Sequence, residues 1–77
     1  MRLIYDDAKD VLMIRLYSAA IASSDRFEDG VSVLFDTNGH VLGFDISNAR
    51  DRMTPEELTG VSYENAGTKQ RASLRLP

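Results

Sequence analysis

The dipeptide Asn38-Gly39 sits at the centre of an alternating run, "VSVLFDTNGHVLGFDIS". A two-residue type I′ turn needs positive φ at both central positions, and Asn-Gly meets that need at little steric cost. With these two residues at the tip, Thr37 faces His40, Phe35 faces Leu42, Val33 faces Phe44 and Val31 faces Ile46. From Val31 to Phe35, each apolar residue of that face then meets an apolar partner. The other face pairs Asp36 with Val41, Leu34 with Gly43 and Ser32 with Asp45. A slip of one residue would exchange the two faces, so the pattern specifies its own register. The same stretch begins Asp-x-Asn-Gly, as a calcium loop does. An EF-hand loop starting at Asp36 would need an oxygen ligand, a glycine and a glutamate where this chain has His40, Val41 and Ser47. Asp36 and Asn38 are therefore read as turn residues.

A second hairpin is expected upstream. "RLIY" and "VLMIRLY" alternate and are joined by "DDAKD". A four-residue loop, Asp7 to Asp10, sets Tyr5 opposite Leu12 and Leu3 opposite Ile14, with Leu16 extending that face. Val11, Met13, Arg15 and Tyr17 fall on the opposite face. A short strand is expected around Ser23 to Phe27, with a turn at Asp29-Gly30 before Val31. After Ser47 the period changes. Thr54 is a capping residue, Pro55 suits the first helical position, and Glu57 completes a capping box. Gly60 ends that helix, which is so short that it needs Met53 or Leu58 packed on the sheet. Asn65 to Lys69 reads as a loop. "ASLRL" then alternates, with Ala72, Leu74 and Leu76 on one side of a last strand. The fold class is mainly β (α+β): a small antiparallel sheet of two consecutive hairpins, one short helix and a C-terminal strand. It is expected as a single domain, with a two-hairpin core over 1–49 and a short helix plus tail over 50–77.

The stretches "IYDDAKDVLMIRLY" and "EDGVSVLFDTNGHVLGFDIS" resemble a small bacterial family called domain of unknown function 2283. The shared pattern is carried here by Tyr5, Asp6, Asp10, Asp29, Gly30, Asp36, Gly39, Val41, Gly43, Phe44, Asp45 and Ile46. It covers roughly Met1 to Ala49. The chain departs from the family in having Phe44-Asp45 where Ile-Glu is usual, and in a longer C-terminal tail. The resemblance implies a small β-rich fold and no established activity. By loose analogy with members encoded beside small toxin-like proteins, it also implies an antitoxin-like or transcription-linked role as an alternative.

Composition narrows the function classes. The chain has 77 residues, 43% of them hydrophobic, and no cysteine. A domain this small buries only about 60% of its unfolded surface, and here no disulfide supplements the core. The absence of cysteine fits a reducing cytoplasm, and the N-terminal stretch lacks the marks of a signal peptide. No run approaches a membrane span. Nine basic residues against 12 acidic ones give a net charge of −3, which disfavours general nucleic-acid binding.

His40 is the sole histidine, so one chain cannot build a multi-histidine metal site, and beside a turn it is expected to be exposed. Ser18, Ser23 and Ser24 lack a nucleophile-elbow pattern. The acids Asp6, Asp7, Asp10, Asp36 and Asp45 offer carboxylates for a hard cation, but turn and edge positions account for them more simply. Asp45 is a charge within a strand, and Arg15 on the neighbouring hairpin is its expected ion-pair partner. No catalytic residue, cofactor or metal is assigned. The expected interface is the second, half-apolar face, Val11, Met13, Leu34 and Val41, with Leu74 of the tail. The expected function is a homodimeric protein-interaction module without catalytic activity, with a second small protein as a further partner. The alternatives are an antitoxin-like regulator, supported locally by Arg50, Arg52, Arg71 and Arg75, and an acid-lined metal or small-ligand binder.

Overall fold

The computed structural model describes residues 1–75. Strands β1 (Arg2–Asp6), β2 (Val11–Arg15), β3 (Ser23–Glu28), β4 (Val31–Phe35) and β5 (Val41–Ser47) form one antiparallel sheet in the order β1-β2-β5-β4-β3. Helices α1 (Ala49–Arg52) and α2 (Pro55–Thr59) follow, and β6 (Gly60–Asn65) and β7 (Gln70–Arg75) pair as a separate two-stranded sheet. The fold is mainly β, and the last strand is present. Leu76, expected on its apolar side, lies outside the described residues.

The first hairpin has the expected register, with Leu3 opposite Ile14 and Tyr5 opposite Leu12. In the β4–β5 hairpin, Val31, Ser32, Val33 and Leu34 meet Ile46, Asp45, Phe44 and Gly43, also as expected. Nearer the tip the expectation fails, because Phe35 pairs with Val41 and not with Leu42. The cause is Asp36, whose Oδ1 accepts the backbone N–H groups of Asn38 at 2.9 Å and His40 at 3.0 Å. Gly39 has φ of 79° while Asn38 stays out of the positive-φ region, so the turn is not type I′. The three-residue loop Thr37–Gly39 shifts the pairing by one, and a bulge at Leu42 restores it. Leu42 becomes fully buried, at 0% exposure. Gly43, next along, is required by contact: a Cβ there would lie 1.9 Å from the Ile14 carbonyl oxygen. β2 and β5 approach so closely that only glycine fits.

One helix was expected and there are two. α1 lacks a local side-chain cap, since its N-cap Asn48 has φ of 55° and makes no capping bond. Asp10 of the first hairpin loop substitutes for it. The Asp10 carbonyl accepts the N–H of Ala49 at 3.2 Å, and its Oδ1 accepts that of Arg50 at 3.1 Å. α2 has the full capping box, with Thr54 and Glu57 bonding reciprocally at 2.9 and 3.1 Å. Gly60 ends α2 in extended backbone and begins β6 directly. β6 was read as part of the tail, although Val61 and Tyr63 alternate with Ser62 and Glu64.

Candidate interaction surface

Successive cross-strand partners place apolar residues in two rows on one face of the large sheet. Leu3, Ile14, Phe44 and Val33 form a row across β1, β2, β5 and β4. Tyr5, Leu12, Ile46 and Val31 form the next. The helical segment reaches only the β1–β2 end of these rows. Met53 and Leu58 line a cleft of about 260 Å³ together with Leu3, Tyr5, Leu12 and Val61. Leu3 is exposed and the other seven residues are only partly buried. A sheet face this apolar is ordinarily buried against another layer.

The residues expected to form an interface do not share one surface. Val11 and Met13 are half-buried on the opposite face. Leu34 belongs to that face but is only 4% exposed, so little of it is left to contact a partner. Val41 has left the face, because the bulge pairs it with Phe35. Leu74 lies on β7, in the other sheet. Met53 and Leu58 of the helical segment, with Val61 at the start of β6, lie beside the first face and not the second. Residues 16–22, which connect β2 to the far-edge strand β3, reach the tip of β4, where Ala22 N–H donates to the Phe35 carbonyl at 2.9 Å.

Of the five candidate acids, Asp6, Asp10, Asp36 and Asp45 have side chains engaged within the fold, while Asp7 is exposed and contributes its carbonyl to Arg50. Arg15 Nη1 donates to Asp45 Oδ1 at 2.9 Å, with both side chains partly shielded. Asp6 Oδ1 accepts the Lys9 N–H within the first loop, and Asp10 Oδ1 also accepts the Tyr5 hydroxyl at 2.7 Å. Asp29 accepts from Arg26 at 2.6 Å, while its carbonyl accepts from Arg52 of α1. Asp36 is 9% exposed, and its second oxygen accepts the Tyr17 hydroxyl at 2.5 Å. That hydroxyl and the backbone N–H groups of His40 and Asn38 hold the Asp36 carboxyl below the ordinary carboxylate value. The same bond, aided by desolvation, raises the Tyr17 phenol, and the bond to Asp10 raises Tyr5. Among the described residues, no three His, Asp or Glu side chains converge as metal ligands. No helix among them is long and apolar enough to cross a membrane.

One apolar surface escaped the sequence reading. Val61 pairs with Leu74 and Tyr63 with Ala72, so one face of the β6–β7 hairpin is apolar up to its turn end, where Asn65 faces Gln70. Tyr63 is 57% exposed and Leu74 60%. The signal was the alternation of Val61 and Tyr63, which matches that of Ala72 and Leu74 at a loop's distance.

Searches of curated proteins and of solved structures returned no match. The model of one family matches residues 2–50, which spans all five strands of the large sheet and the start of α1. Within that range, residues that carry the resemblance in sequence have physical roles in this fold: Tyr5 and Asp10 in the first loop, Gly30 and Gly39 at positive φ, Asp36 in the turn, and Gly43 at the strand contact. The chain thus belongs to the family described as "Protein of unknown function (DUF2283)".

Proposed function

We propose that this chain is a homodimeric protein-interaction module of the reducing cytoplasm, without catalytic activity. The supporting observation is its surface. The accessible area is 5910 Å² for 8.6 kDa, whereas compact monomers of that mass expose about 4,700 Å². The radius of gyration, 13.8 Å, likewise exceeds the roughly 11.5 Å of a compact 77-residue domain. Large exposed apolar areas mark interfaces, and this chain carries two. The engagement of Asp6, Asp10, Asp36 and Asp45 in turns, a helix cap and an ion pair favours an interaction role over chemistry. Sedimentation equilibrium tests the reading. The expected mass is twice 8.6 kDa, and a single species at the monomer mass up to the solubility limit would contradict it.

A further inference from the structure

We propose that the β6–β7 hairpin is an exchange arm, whose apolar face lies on the open sheet row of a second copy of this chain. The inference rests on the homodimer reading and assigns its contact surfaces. One partner is Val61, Tyr63, Ala72 and Leu74, the apolar face of the arm. The other is the row Leu3, Ile14, Phe44 and Val33.

Three observations support this occupant. First, the arm has a built polarity. Its other face carries Ser62 opposite Ser73 and Glu64 opposite Arg71, the latter an ion pair at 3.4 Å. An amphipathic two-stranded hairpin is at best marginally stable in water and needs its apolar face covered. Second, its own chain shelters only Val61, at the base of the arm beside Leu3 and Leu58. Tyr63 and Leu74 remain more than half exposed, and among the described residues no hydrogen bond joins 61–75 to the large sheet. Arg75 bonds instead to the Glu56 carbonyl of α2, at the base of the arm.

Third, the dimensions fit. Six-residue strands extend about 20 Å, while four strands at their usual spacing measure about 15 Å across. The surface excess, about 1,200 Å² per chain, falls within what stable homodimers bury on each subunit. A two-fold exchange is self-complementary, so one operation covers both arms and both rows.

The test is light scattering on three full-length chains: wild type, the double variant Tyr63→Glu/Leu74→Glu on the apolar face, and Ser62→Glu/Ser73→Glu on the polar face. All four positions are exposed, and circular dichroism verifies that each variant keeps its sheet. The inference expects a wild-type dimer, a monomeric apolar-face variant with at least tenfold weaker association, and a polar-face variant that stays dimeric. A dimer in all three chains overturns the exchange arm and leaves the homodimer standing. Dissociation by both variants overturns it as well, since the effect would not be specific to a face. A monomeric wild type overturns both readings. The chain has no cysteine, so crosslinking offers a second route. Equal mixing of a Leu74→Cys chain with an Ile14→Cys chain should give a disulfide-linked heterodimer on oxidation, and its absence in a dimeric sample contradicts the contact.

Discussion

The five-stranded sheet and the C-terminal hairpin are both antiparallel and both have an apolar face, yet they are held differently. In the sheet, side chains tie elements that are far apart in sequence. Tyr17 reaches Asp36, Arg15 reaches Asp45, and Asp10 caps a helix forty residues away. In the hairpin the ties are local. Asn65 Oδ1 accepts the N–H groups of Gly67 and Thr68 at 3.0 and 3.2 Å, and Arg71 pairs with Glu64 on the adjacent strand. The sheet also buries Leu42 and Leu34, whereas every residue of β7 is exposed. Local turn chemistry is enough to shape a hairpin. Holding it requires a covered face, and the cover we propose is a second copy.

The comparison can be broken most severely at Gly43. Gly43→Ala places a Cβ against the Ile14 carbonyl, which forces β2 from β5 and should cost about 4 kcal/mol, at the upper end for one substitution. Urea denaturation followed by circular dichroism checks it, and a small loss would mean that the strands can part cheaply. Leu42→Ala empties the largest fully buried side-chain position among the described residues and should cost about 3 kcal/mol by the same measurement.

Asp10→Ala removes the remote cap of α1 and the partner of the Tyr5 hydroxyl, for an expected loss of about 1–2 kcal/mol. Its signature is faster amide exchange in 49–52, with the β6–β7 amides unchanged.

A pH series sharpens the comparison further, because the opposed limbs come from one bond between the segments that follow β2 and β4, away from the C-terminal hairpin. The Asp36 carboxyl is lowered from 3.8 when folded, so its contribution is present above that value and is lost as pH falls through the folded value. The Tyr17 phenol is raised from 10.0, so its contribution is present below 10.0 and is lost as pH rises through the folded value. Tyr17→Phe should shrink the alkaline limb to the part owed to Tyr5 and move the Asp36 carboxyl back up, as followed by carboxyl NMR titration. A carboxyl that stays in place would assign its shift to the backbone N–H groups alone.

How much of this was legible in the sequence follows from the range of the forces involved. The register of β1 and β2, the four inner pairs of β4 and β5, and the capping box of α2 all depend on neighbours or on alternation. The bulge at Leu42 does not, because it follows from Asp36 favouring a three-residue loop over the Asn-Gly turn. α1 has no local start signal, since its cap is supplied by Asp10. The Arg15–Asp45 pair was legible because an interior charge with one cation on the facing strand leaves few choices. The five residues expected as one interface do not share a surface. Val41 was assigned by parity, which the bulge reverses, and Leu34 was counted as open. The pairing of Val61 and Tyr63 with Leu74 and Ala72 needed both halves of the tail read together.

The central claim is that the sheet holds itself while the hairpin is held by a second copy. Hydrogen exchange measured at two protein concentrations, one above and one below the association midpoint, tests it most directly. The account predicts that amides of β2, β4 and β5 are protected at both concentrations, and that those of β6 and β7 gain protection only at the higher one. Equal protection of β6 and β7 at both concentrations, in a sample shown to dissociate between them, would contradict it.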